Sequence, residues 1–108
     1  MAFLARMYTD SETATVTIRL VGDLDSGSAG RLNDLIVEAS RGPVRRLVLL
    51  MEQLAYLSSA GLRCIVFAHQ KLGRGTDIVL VGTRPEVADT IRLTGLDHSV
   101  IMQDPADA

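Results

Sequence analysis

The alternation of hydrophobic and polar side chains over residues 13–21 predicts a β-strand with one buried face. The hydrophobic positions are Val16, Ile18 and Leu20, and the intervening polar positions are Thr15, Thr17 and Arg19. A shorter strand is predicted over residues 3–8, with the polar segment 9–12 between the two. Two strands joined by such a turn predict an antiparallel hairpin at the start of the chain.

A continuous apolar run over residues 47–51 predicts a strand buried on both faces at the centre of a parallel sheet. A connection over residues 52–57 is expected next, followed by a helix with Ser58 as its N-cap. Helical spacing predicts a core stripe of Leu62, Ile65, Val66, His69 and Leu72. The same spacing places on the opposite face Ser59, Arg63, Phe67 and Gln70.

The remaining elements follow from capping and turn residues. Asp25 is predicted to cap a helix that runs to about Ser40, after a turn at Gly22 and Asp23. Further along the chain the pattern predicts a strand over 77–81, a short helix between Pro85 and Gly95, a last strand over 100–102 and a frayed tail over 103–108. Together these elements predict a single α/β domain over residues 1–108, in which about three helices flank a mixed sheet.

Composition excludes several functions. The chain has 108 residues and a net charge of −2, so no electrostatic footprint for nucleic acid is present. Cys64 is the single cysteine, which rules out an intrachain disulfide, and with two histidines the chain offers no metal-ligand cluster. No apolar run reaches membrane-spanning length and the start lacks a signal-peptide pattern, so a cytoplasmic protein is expected.

Catalytic motifs are also missing from the sequence. Ser59 has only one of the two flanking glycines of a nucleophile elbow: Gly61 follows it by two residues, but Leu57 stands where the first glycine would be. There is no glycine-rich phosphate loop ending in lysine. The sequence therefore predicts a protein that is not an enzyme and that carries neither a cofactor nor a metal.

The segment Leu-Ser-Ser-Ala-Gly-Leu-Arg at residues 57–63, after a buried strand, resembles the signature of STAS domains. More closely, it resembles the stand-alone bacterial anti-sigma factor antagonists, in a Ser-Ser-Ala-Gly-Leu variant of their motif. The resemblance extends to Gly-Asp-Leu-Asp at residues 22–25 and to the order of elements along the chain. In many antagonists the serine directly before the glycine accepts a phosphate, and that position is Ala60 here.

The resemblance implies a signalling switch. The unmodified protein would bind and sequester an anti-sigma factor or related serine kinase, and a cognate phosphatase would reverse phosphorylation. Ser59 is the implied phosphorylation site, with Ser58 as the alternative. The partner-binding surface is predicted to comprise Asp23, Asp25, Ser58, Ser59, Ala60, Gly61, Arg63 and Phe67.

Other interpretations stay open at the level of sequence. The serines can simply finish the first turn of a capped helix, and Asp23 can be an ordinary exposed turn residue. STAS domains also serve as non-phosphorylated scaffold subunits of transport or regulatory assemblies, which Ala60 favours. Direct nucleic-acid binding and membrane insertion are not expected, and a homodimer is compatible with the sequence.

Overall fold

The computed structural model describes residues 2–107. Within them, the elements are β1 (Leu4–Asp10), β2 (Thr15–Leu24), α1 (Ala29–Ala39), β3 (Arg46–Leu57), α2 (Ser59–Leu72), β4 (Asp77–Val81), α3 (Pro85–Leu93) and β5 (Ile101–Gln103), with short 3-10 turns at Leu96–His98 and Pro105–Asp107. The sheet has the order β1-β2-β3-β4-β5, in which β1 is antiparallel to β2 and the other neighbours are parallel. The predicted α/β fold with an N-terminal antiparallel hairpin and three helices is confirmed.

All three helices pack on one face of the sheet. From β2 to β5, each parallel strand lies on the same side of the strand that precedes it in the chain. Right-handed crossover connections in one direction place every connecting helix on the same face of the sheet. The predicted burial of residues 47–51 on both faces is therefore wrong. Leu47, Leu49 and Met51 point to the helices and are buried, whereas Val48 and Leu50 point to the other face and are half-buried.

Strands β2 and β3 both run further than the sequence pattern indicates. Residues 52–57, predicted as a connection, continue β3, and β2 extends through Gly22 to Leu24. The two extensions pair with each other across register shifts in the ladder. Gly22 adopts a φ of 92°, and a Cβ at this position would collide with the carbonyl oxygen of Ala2. Glycine is thus needed here inside a strand and not to end one.

Helix α1 begins three residues later than predicted. Ser28 is its N-cap, without a side-chain capping bond, and the helix ends at Ala39. The Oδ1 atom of Asp25 instead accepts hydrogen bonds from the amides of Gly27 and Ser28, at 3.0 and 3.2 Å. Asp25 therefore organises the turn before the helix, because its short carboxylate is satisfied locally.

Helix α2 is rotated about its axis relative to the predicted stripe. Its buried residues are Gly61, Cys64, Ile65 and Ala68. Val66, predicted in the core, is 38% exposed, whereas Phe67, predicted on the outer face, is half-buried and packs against the core. Small side chains on the buried side allow a close helix–sheet approach that hydrophobicity alone does not reveal.

The segment over residues 103–108, predicted as a frayed tail, begins in a strand. Gln103 belongs to β5, and its carbonyl oxygen accepts a 2.9 Å hydrogen bond from the amide of Gly82. The 3-10 turn at Pro105–Asp107 follows, while Ala108 lies outside the described residues. In the part of the chain that the structure describes, every helix is too short or too polar to cross a membrane.

Candidate functional site

Two loops meet where β2 and β3 end. The strands are parallel neighbours, so their carboxyl ends lie at the same edge of the sheet, where ligand and partner sites of α/β folds commonly form. The backbone amide of Ser58 donates a 2.9 Å hydrogen bond to the carbonyl oxygen of Leu24. This bond fixes the start of α2 beside the β2–α1 loop.

Ser58 is the N-cap of α2, as predicted. Its backbone is extended, and its Oγ accepts a hydrogen bond from the amide of Gly61 at 3.3 Å. Its carbonyl oxygen accepts the amide of Leu62 at 3.0 Å. Ser59 is the first helical residue and its side chain is exposed. The first serine therefore completes the helix, and the second presents its hydroxyl to solvent.

The β2–α1 loop is tied to the same region by side-chain hydrogen bonds. Ser28 Oγ donates to the carbonyl oxygen of Asp23 at 3.0 Å. Cys64 Sγ, on α2, approaches the carbonyl oxygens of Ala29 and Ala60 at 3.5 Å. These contacts connect the loop, α1 and α2 around one edge, so the predicted loop and the serine-bearing turn are neighbours in space.

The structure brings most of the predicted partner-binding residues together. Asp25, Ser59 and Arg63 are exposed on this edge, and Asp23 is half-buried beside them. The remaining predicted residues are less accessible: Ser58 and Ala60 are half-buried, Gly61 is buried, and Phe67 packs against the core. The surface formed by Asp23, Asp25, Ser59 and Arg63, together with Tyr56 and Val66, is called the serine-turn surface below.

Tyr56 and Val66 were missed by sequence reasoning. Tyr56 is 53% exposed and lies opposite Asp23 in the β2–β3 register, two residues before Ser58. Alternation along the strand could not have found it, because it would place Tyr56 on the same face as Leu54, which is fully buried, and the register shifts of the β2–β3 ladder break that alternation. Val66 lies three residues beyond Arg63 on the same exposed side of α2, at helical spacing from Ser59.

The site holds no reactive thiol. Cys64 is buried, and burial raises the pKa of its thiol, while the positive charge of Arg63 lowers that pKa to a smaller extent. The thiol stays neutral and contributes packing, since the thiolate is the nucleophilic form. Among residues 2–107 there is also no group of three or more histidine, cysteine, aspartate or glutamate side chains placed to hold a metal ion.

The STAS domain family model matches residues 6–108. This match spans nearly the whole chain, and the chain belongs to the STAS domain family. No curated protein sequence matches it significantly.

Solved structures of anti-sigma factor antagonists share this fold. The unphosphorylated form of the anti-sigma factor antagonist SpoIIAA has a TM-score of 0.75 and 28% identity, covering 95% of this chain and 87% of that one. The phosphorylated form of the Bacillus cell fate determinant SpoIIAA has a TM-score of 0.68 and 27% identity, covering 95% and 90%. An antagonist from Mycobacterium paratuberculosis has a TM-score of 0.79 and 23% identity, covering 93% and 86%.

Proposed function

We propose that this protein is an anti-sigma factor antagonist that binds an anti-sigma factor, or a related serine kinase, through the serine-turn surface. Phosphorylation of Ser59 weakens that binding, and a phosphatase restores it. The observation that carries the proposal is the exposed Ser59 at the start of α2, held beside the β2–α1 loop in a chain that is 28% identical to SpoIIAA. SpoIIAA itself has both an unphosphorylated and a phosphorylated form.

The surroundings of Ser59 favour a reversible charge. A phosphate there sits at the N-terminal end of a 14-residue helix, where unpaired amides and the helix dipole stabilise negative charge. Arg63 follows one turn later on the same exposed side. The modified fold thus remains stable, because Ser59 is not part of the core. Partner contact at the same turn loses affinity, since a charge of about −2 must be accommodated in the interface.

Tyr56 and Arg63 supply the side chains that most often dominate contact energies at interfaces, an aromatic and an arginine. Both are exposed, and they lie on either side of the serine-bearing turn. Phe67 is half-buried and its ring packs against the core, so we assign it a smaller share of the contact than Tyr56. Gly61 and Ala60 act by shaping the turn more than by touching a partner.

The test begins with the binding partner. The tagged protein is used to capture proteins from native lysate, and the captured serine kinase or anti-sigma factor is then purified. We expect Arg63→Glu and Tyr56→Ala to reduce its affinity at least about tenfold while thermal unfolding stays nearly unchanged. Leu93→Ala is the control, since Leu93 is 88% exposed but lies at the end of α3. Equal binding by all variants would place the interface elsewhere.

The switch is tested with the same kinase. Incubation with ATP followed by mass spectrometry should place phosphate on Ser59, and Ser59→Ala should abolish it. Phosphate on Ser58 would move the acceptor by one residue. Absence of phosphate from both serines, with stable partner binding throughout, would favour a permanent scaffold role, in keeping with Ala60 at the family's usual acceptor position.

A further inference from the structure

The outer edge of β1 is open. In the described part of the chain, β1 pairs with β2 on one side and has no strand on the other. Such an edge presents unpaired backbone N–H and C=O groups that can accept another strand. A cavity of about 420 Å³ lies along it, lined by the consecutive residues 5–8. Because consecutive strand residues point to opposite faces, this cavity follows the backbone edge itself.

Helix α1 forms the other wall of this groove. Arg31, Leu35 and Glu38 line the cavity opposite the strand. The groove therefore offers an apolar residue between a cation and an anion, beside a free row of backbone hydrogen-bonding groups. This is the arrangement into which an extended segment is added as a further strand.

The charges along β1 favour a second copy of β1 as the strand that is added at this edge. Arg6, Tyr8 and Asp10 lie on one face of the strand, and all three are exposed. When a second β1 pairs antiparallel with Tyr8 opposite its own counterpart, Arg6 falls opposite Asp10 of the second copy. Two-fold symmetry repeats this contact, so two attractive cross-strand pairs flank one tyrosine pair. The charges of β1 are therefore complementary to those of a second, antiparallel copy of β1.

We propose that β1 is a self-association surface, through which two copies of this chain join their sheets edge to edge about a two-fold axis at Tyr8. Any other register breaks the symmetric pairing of Arg6 with Asp10. The carboxylate of Asp10 is already oriented, because its Oδ1 accepts the amide of Glu12 at 3.0 Å. The interface is independent of the serine-turn surface, which lies at the carboxyl ends of β2 and β3.

Cross-linking tests the register directly. Tyr8→Cys places one thiol at the symmetry axis, where facing Cβ atoms are about 5 Å apart, and a short bis-maleimide reagent should join two copies. Leu4→Cys is the control: it is 51% exposed on the same strand but faces residue 12 of the second copy. Two Leu4 positions would then be about 25 Å apart and should not be joined. Native Cys64 is buried and does not compete.

Charge reversal tests the energetics. Arg6→Asp and Asp10→Arg should each weaken dimerisation in sedimentation equilibrium by roughly tenfold or more, because each turns both cross-strand pairs repulsive. The double variant exchanges the charges and should restore the dimer. Tyr56→Ala should leave it unchanged, which separates this surface from the partner-binding one.

Several results would overturn the proposal. They are a wild-type protein that stays monomeric at every concentration, cross-linking at residue 4 as efficient as at residue 8, or a double variant no better than the single ones. If a charge-reversed variant fails to fold, cross-linking of Tyr8→Cys with the native charges still decides the matter.

Discussion

Gly61 lies so close to Leu24 that a side chain does not fit between helix α2 and the end of β2. A Cβ atom on Gly61 would be 2.9 Å from Leu24 Cγ and 3.0 Å from the Leu24 carbonyl oxygen. The same carbonyl accepts the amide of Ser58 at 2.9 Å. This close approach holds the serine-bearing turn against the neighbouring loop, and the predictions below start from it.

Gly61→Ala should destabilise the protein by about 1–3 kcal/mol, because the added methyl overpacks the junction. Gly30→Ala is the matched control: Gly30 is also helical, but a Cβ there meets nothing within 4 Å. That variant should be neutral or gain up to about 1 kcal/mol from helix propensity. Chemical denaturation measures both. Equal effects of the two substitutions would contradict the close approach.

Replacing each of the two adjacent serines by alanine should have different effects on the free energy of unfolding. Ser58→Ala should cost about 0.5–2 kcal/mol, since it removes the side-chain bond to the amide of Gly61. Ser59→Ala should change the free energy of unfolding by no more than about 0.5 kcal/mol, because this side chain is exposed. A larger loss at Ser59 than at Ser58 would show that the cap is assigned to the wrong residue.

Neighbouring leucines on β3 report which face of the sheet the helices cover. Leu49→Ala should cost about 2–5 kcal/mol, because Leu49 is 1% exposed beneath the helices. Leu50→Ala should cost about 1 kcal/mol, since this side chain points away from the helices and is half-buried. Similar losses in urea denaturation would mean that both faces are covered.

Phe67→Ala should lower the melting temperature, because the ring packs against the core. The loss should be smaller than the roughly 3–5 kcal/mol typical of a fully buried phenylalanine. Val66→Ala is the control on the exposed side and should have little effect. A variant at Phe67 with unchanged stability and impaired partner binding would instead show that Phe67 acts mainly in the partner contact predicted from the sequence.

Cys64 should make stability fall at alkaline pH. Burial raises the pKa of the thiol in the folded chain, so the unfolded chain ionises first as the pH rises. The contribution of the neutral thiol is complete below the unfolded pKa of about 8.5 and is lost as the pH rises through the folded pKa. The stability difference between wild type and Cys64→Ala should therefore shrink above that pH. A difference that is independent of pH would contradict this.

The sequence by itself determined the order of elements and the position of the serine-bearing turn. Alternation over residues 13–21, the apolar run at 47–51 and the cap at Ser58 depend on local chemistry: which side chains avoid water and which hydroxyl meets a free amide. These signals can be recognised without knowing which residues pack around them in the fold. They also placed Ser59 and Arg63 on an exposed face of α2, where the structure has them.

Only the tertiary structure decided which residues surround that turn. The extensions of β2 and β3 exist because the two strands pair with each other, and this pairing exposes Tyr56 beside Asp23. Phe67 turned inward and Val66 outward because the small side chains of Gly61 and Ala68 set how α2 rests on the sheet. Both outcomes depend on partners distant in the chain, and a pattern read along one segment carries no information about them.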